Sequence, residues 1–230
     1  MTTSDIQAPG PKPQAPSPRP QATGHAHQFD DAEQQRTSAS LGMWVFLATE
    51  VMFFGGLFAA YAIYRLVYPQ AFAEASHHLD VVLGGLNTAV LLTSSLTMAL
   101  AVHAAQTGRR GWLVGMLLLT ALLGAAFMGV KATEYYHEYQ ERLIPALGFG
   151  YAGADAQQVQ LFFLLYFLMT GLHAIHLTIG IVAALAFAAL ALRRGARPRA
   201  TPVEVLGLYW HFIDIVWVFL FPLLYLIGHG

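Results

Sequence analysis

The sequence predicts an all-α protein, a polytopic membrane bundle of five transmembrane helices. Three observations carry this. Apolar residues make up 56% of the 230-residue chain and charged residues only 11%. An average soluble domain has about 45–50% and about 25%, so a soluble fold could not cover its surface with the charges available. Five long apolar runs occur, at about 41–67, 81–104, 112–136, 160–192 and 204–228, each long enough for the about 20 residues that cross the hydrocarbon core as a helix. None alternates apolar and polar residues as a barrel strand would, and a backbone in lipid must satisfy its own hydrogen bonds. The mean hydropathy of +0.51 agrees.

Composition also excludes classes of function. Twelve Lys and Arg against 13 Asp and Glu do not make a basic nucleic-acid module, so no nucleic-acid partner is expected. The absence of Cys removes a disulfide scaffold, a thiolate metal site, a Cys nucleophile, iron–sulfur ligation and Cys-attached haem.

Residues 1–38 differ from the rest. Six of the 11 prolines fall within the first 20 residues. The stretch has no apolar run of signal-peptide length and too little apolar surface to order itself. A disordered Pro-rich tail, 1–38, followed by a five-helix membrane domain, 39–230, is the expected organisation. His25 and His27 lie in the tail as solvated residues. Orientation follows from Lys and Arg. With a cytoplasmic N-terminus, Lys12, Arg19, Arg36, Arg109, Arg110, Arg193, Arg194, Arg197 and Arg199 lie inside, and Arg65, Lys131 and Arg142 outside. The C-terminus is then periplasmic. The longest loop, about 137–159, is too short for a soluble domain.

The first span carries Glu50 roughly 14 Å from its inner end. Leu47, Phe54, Leu57 and Tyr61 continue its helical face. Two readings stand: a proton-linked or helix-locking carboxyl, or a neutral Glu hydrogen-bonded across a helix interface. The second span carries Asn87, Thr88, Ser94, Ser95 and Thr97, with Gly84-x-x-x-Thr88; the third opens with Gly111-x-x-x-Gly115. Such spacings let helices approach closely and specify no function. Glu134, Tyr135, Tyr136 and His137 close the third span, where an aromatic belt is ordinary.

In the fourth span, Tyr166, Thr170, His173, His176 and Gly180 draw one polar stripe, which should face other helices. A lone His-x-x-His pair is a thin basis for a metal site, so interhelical hydrogen bonding is the expectation and no metal ligand is assigned. The fifth span places His211 and Asp214 on one face. Their depth matches that of Glu50, so a Glu50 contact with His211 or Asp214 is expected. Pro222 should kink this helix. Arg36 and Arg65 sit at helix ends where lipid phosphates lie, as lipid contacts or simple snorkelling side chains. No nucleotide loop or Ser/His/Asp set is present, and no catalytic residue is assigned.

One motif per span, in order, carries a family resemblance. Leu41–Tyr64 reads LGMWVFLATEVMFFGGLFAAYAIY and Gly85–Ser95 reads GLNTAVLLTSS. Lys131–His137 reads KATEYYH, Phe162–Gly180 reads FFLLYFLMTGLHAIHLTIG, and Gly207–Trp217 reads GLYWHFIDIVW. Together they resemble cytochrome c oxidase subunit III of the haem–copper oxidases, in its five-span bacterial form. The resemblance implies a non-catalytic core subunit in the bacterial inner membrane. It would pack on subunit I, bind phospholipid and support proton uptake and turnover stability. Haems and copper would belong to partner subunits I and II, with no cofactor in this chain. A small subunit IV or a respiratory supercomplex are further partners it implies. It maps the family's span-one carboxyl to Glu50, the last-helix motif to His211 and Asp214, the paired histidines to His173 and His176, the span-three acid to Glu134 and the span-two asparagine to Asn87.

The chain lacks the first two helices of the seven-span form, and a partner with more than twelve spans is expected to fill that edge. Quinol oxidase subunit III and an accessory subunit of nitric oxide reductase resemble it too. The quinol type tends to carry Asp where Glu50 stands, which favours the cytochrome c type. Two readings of another class remain: a stand-alone transporter with Glu50, His211 and Asp214 as a proton relay, and a di-metal enzyme on His173 and His176. No internal repeat supports the first, and the second needs more ligands than are visible.

Overall fold

A computed structural model describes residues 32–145, 149–151, 153, 155–193, 200–226 and 228. These residues form helices and connecting turns, with no strand among them. The helices are α1 (Ala32–Val67), α2 (Pro69–Ser76), α3 (Val81–Gln106), α4 (Arg110–Gln140), α5 (Ala156–Leu192) and α6 (Ala200–Tyr225). All except α2 are long and apolar enough to cross a membrane. The chain divides into two units, residues 1–38 and 39–230.

In the first unit, the Pro-rich stretch expected to be disordered falls in 1–31, outside the described residues. Residues 32–38 are helical, which corrects the expected extent of the tail. Glu33, Gln34, Gln35 and Arg36 are polar but, like Ala32, good helix formers, so the helix starts before the apolar run does. Hydropathy marks where a helix enters lipid, not where it begins.

Helix α2 had no counterpart among the expected elements. Eight residues are too few for an apolar run, but Pro69 occupies the favoured first position of the helix. It buries Ala71, Phe72, Ala75 and Ser76 on one face. Asp80 then caps α3, its Oδ1 accepting from the backbone N–H groups of Val82 (2.8 Å) and Leu83 (3.1 Å). The α3–α4 hairpin turns at Gly108, whose φ of 69° suits glycine. There Gly108 N–H donates to Ala105 O and Arg109 N–H to Ala104 O, the paired bonds of a Schellman cap.

Helices α3 to α6 pack around large side chains. Trp210 and Trp217 of α6 are fully buried with Phe127, Phe162, Phe163, Tyr166 and Tyr225. Trp210 wedges between α4 and α5 because both present glycine there. A Cβ at Gly124 would meet Trp210 Cη2 at 3.0 Å, and one at Gly180 would meet its Cε3 at 3.1 Å. In lipid, where apolar burial drives little association, this fit of side chains into small-residue gaps holds helices together.

Helix α1 is different. Only 11% of its most apolar stretch is buried, against 56% for α6. One face joins the rest, and it is the face read from the sequence: Leu47, Phe54 and Tyr61 are buried. Phe54 meets Phe212 at 6.3 Å between ring centres, and Tyr61 meets Phe72 at 5.4 Å. The Tyr61 hydroxyl donates to Leu223 O at 2.7 Å, satisfying one of the last carbonyls of α6. Pro222 lies inside that final stretch of α6, where its missing N–H weakens the helix's own ladder.

Candidate functional site

The ionisable residues picked out in the sequence fall into three groups. The first lies between α1 and α5. Glu50 Oε2 stands 3.3 Å from His176 Nε2, with side chains 18% and 16% exposed. His176 Nδ1 lies 2.8 Å from Leu172 O. A carbonyl can only accept, so Nδ1 carries a proton. The Glu50–Nε2 contact is favourable only with a second proton in it, on the imidazole or on the carboxyl. The Phe54 ring lies edge-on at 5.6 Å from the imidazole, and the Tyr209 hydroxyl of α6 donates to His176 O at 3.0 Å. Three helices thus converge on one carboxyl–imidazole pair.

The second group joins α3 to α6. Ser95 Oγ meets His211 Nδ1 at 2.6 Å. Asp214 is buried with its carboxyl beside the Ser95 hydroxyl, its hydrogen-bonding neighbour on α3. Trp210 Nε1 donates to Ser94 Oγ and Trp217 Nε1 to Thr88 Oγ1, both at 3.0 Å. Thr97 and Thr120 link α3 to α4 at 2.7 Å. The expected contact of Glu50 with His211 or Asp214 does not form. Depth was matched, but azimuth was not. Phe212 turns toward α1, which carries its neighbours His211 and Asp214 around to α3.

The third group is a caged cation. Lys131 of α4 is 4% exposed and pairs with Glu134 Oε2 at 2.9 Å. Its ammonium donates to the hydroxyls of Tyr166 (3.0 Å) and Tyr225 (2.8 Å), and Tyr225 donates in turn to Glu134 Oε1 at 2.9 Å. The rings of Tyr135, Tyr166, Trp217 and Tyr225 surround the ammonium at 5.0–5.5 Å, within cation–π range. Tyr135 is tied back to Thr170 at 2.6 Å. An ammonium so enclosed keeps its charge compensated by a carboxylate and by ring faces together.

The cage changes two sequence readings. Lys131 is not an interfacial charge, which leaves Arg65 and Arg142 as the basic residues expected outside. Glu134 and Tyr135 turn inward, while Tyr136 and His137 face outward. Lys131 was missed as a site residue. The available signal was its offset of three from Glu134 inside an apolar run. Asn87 and His173 are both buried with no hydrogen-bond partner among the described residues. His173 packs on Phe127 at 5.6 Å and on Trp217 at 5.2 Å, so the two paired histidines diverge, one to the interior and one to α1. Arg65 is exposed; the side chain of Arg36 lies outside those described.

Known proteins share this sequence pattern. The cytochrome c oxidase subunit III family matches over residues 24–229. Subunit 3 of the cytochrome bo(3) ubiquinol oxidase of Pseudomonas aeruginosa is 34% identical, over 89% of this chain and 91% of its own. Cytochrome c oxidase subunit 3 of Corynebacterium diphtheriae is 35% identical, over 86% and 96%. Quinol oxidase subunit 3 of Bacillus subtilis is 33% identical, over 83% and 87%. With five membrane-length helices and a match along nearly its whole length, the chain belongs to the cytochrome c oxidase subunit III family.

Proposed function

We propose that this chain is the non-catalytic core subunit III of a bacterial haem–copper terminal oxidase that oxidises cytochrome c, and that it supports proton uptake and stability during turnover. It sits in the inner membrane with its N-terminus cytoplasmic and C-terminus periplasmic. Haems and copper are carried by subunits I and II, and phospholipid is its own ligand. The observation that carries the reading is the Glu50–His176 pair. It places a carboxyl in contact with an imidazole in the middle of the least covered helix, on the side of the bundle with most surface left for a neighbour.

Charged groups inside a membrane are costly and concentrate where they act on ions or protons. Glu50 in place of Asp supports the cytochrome c type. The Pseudomonas and Bacillus relatives, named as quinol oxidase subunits, favour a quinol-type complex as the second reading. A stand-alone transporter has less support, because the Glu50, His211 and Asp214 relay it needs is not formed.

The test is native purification through a tag on this chain, with an optical spectrum and mass spectrometry of the co-purifying subunits. A haem spectrum with a polytopic haem-bearing partner is expected, and the companion subunits then identify the donor. A colourless protein without such a partner would refute the proposal.

A further inference from the structure

Tyr209 of α6 touches both helices that carry the Glu50–His176 pair. Its hydroxyl donates to His176 O on α5 at 3.0 Å. A carbonyl oxygen has two lone pairs, one for its own helix and one for an outside donor. The Tyr209 ring lies 6.1 Å from that of Phe46 on α1 and 6.5 Å from the His176 imidazole. Phe46 precedes Glu50 by one turn, so the two share a face of α1. The phenol also lies within electrostatic reach of the Glu50 carboxyl. Tyr209 is 8% exposed, so these contacts are made inside the bundle.

The next residue grips the same turn of α5. Trp210 packs on Gly180, where a Cβ would stand 3.1 Å from the indole Cε3, and Gly180 lies one turn beyond His176. Tyr209 and Trp210 therefore hold that turn at both ends, a hydroxyl on the carbonyl at its start and an indole in the gap at its close. Trp210 is itself anchored to α3, its Nε1 donating to Ser94 Oγ at 3.0 Å. Two points fixed a turn apart define the rotation of a helix about its axis. That rotation decides whether the His176 imidazole points at α1. The pair cannot set it alone. Glu50 and His176 share one contact of 3.3 Å, a lone interhelical polar contact in a membrane is weak, and His176 Nδ1 is tied only to its own helix at Leu172 O.

We propose that Tyr209 is the positioning residue of the Glu50–His176 pair. Its hydroxyl fixes the α5 backbone at His176, and its ring supports α1 one turn before Glu50, so that carboxyl and imidazole meet. It acts through the backbone of His176 and through Phe46. The inference deepens the role proposed for the pair and rests on that reading for its use in turnover.

The test uses the native complex purified through a tag on this chain, with isotope-labelled histidine and magic-angle-spinning NMR of the imidazole nitrogens. Glu50→Ala identifies the imidazole that faces Glu50, as the one whose signals move. Tyr209→Phe keeps the ring and removes only the hydroxyl. In that variant the same signals are expected to move most of the way to their Glu50→Ala positions, while the unfolding temperature barely changes. A tyrosine that only filled space would leave them in place, because the phenyl ring still fills it. Phe46→Leu, at a position 39% exposed, serves if Tyr209→Phe does not assemble, with a smaller displacement of the same signals expected. Unmoved signals in the variants that assemble would overturn the proposal, and so would signals indifferent to Glu50→Ala. Active lifetime during turnover is read on the same samples. Displaced signals with an unaltered lifetime would sustain positioning by Tyr209 and refute the turnover role of the pair.

Discussion

Two carboxyl–cation pairs sit at very different places in this bundle. Lys131–Glu134 is enclosed at 4% and 6% exposure, with every donor of the ammonium directed at a carboxylate or a tyrosine hydroxyl. Glu50–His176 lies at the edge, 18% and 16% exposed and held by one contact across α1 and α5. The first pair sits in a cage built from three helices, α4, α5 and α6. The second joins one carboxyl to one imidazole across two helices at 3.3 Å. Enclosure with full wiring suits a structural lock. Partial exposure on the least covered helix suits a group that takes part in turnover. Stability and turnover should therefore separate between the two sites.

The largest expected effect is on the cage. Lys131→Met leaves Glu134 buried and uncompensated, and should destabilise by about 3–5 kcal/mol, seen as loss of assembled protein or a large drop in the unfolding temperature of the purified complex. Adding Glu134→Leu to that variant should restore much of the loss, because it removes the stranded charge. If the double variant is no better than the single, the lock is not electrostatic.

Next in size is the Trp210 wedge. Gly124→Leu drives a side chain into a site where even a Cβ lies 3.0 Å from the indole, and should cost about 1–3 kcal/mol by overpacking, read by thermal unfolding. Asp80→Ala removes the α3 cap and should cost about 1 kcal/mol, visible as faster hydrogen exchange in the first turn of α3. Smallest is Glu50→Gln. A single interhelical polar contact in a membrane averages about 0.6 kcal/mol, so the unfolding temperature should barely move. A large drop there would make the edge pair structural too and erase the contrast.

The architecture was readable because hydropathy and helix length are one-dimensional signals. Five spans and the inward face of α1 follow from them. The start of α1 and the short α2 were not readable, since neither carries an apolar run. The polar interior was half readable. Type and depth pointed to Glu50, His173, His176, His211 and Asp214, but partner choice depends on the rotation of each helix about its axis. Small offsets in helix packing set that rotation, and no single-helix pattern contains it. Glu50 therefore meets His176, while His211 meets Ser95. Lys131 shows the same limit in reverse. At the end of a span it reads as an interfacial charge, and only the tyrosines contributed by α5 and α6 make it a core residue.

The measurement that tests the central claim most directly is the active lifetime of the complex during continuous turnover with Glu50→Ala, at haem content matched to the unsubstituted protein. The account predicts unchanged haem content and assembly, with a lifetime shortened severalfold. An unaltered lifetime would contradict it and leave the Glu50–His176 pair as one more helix contact.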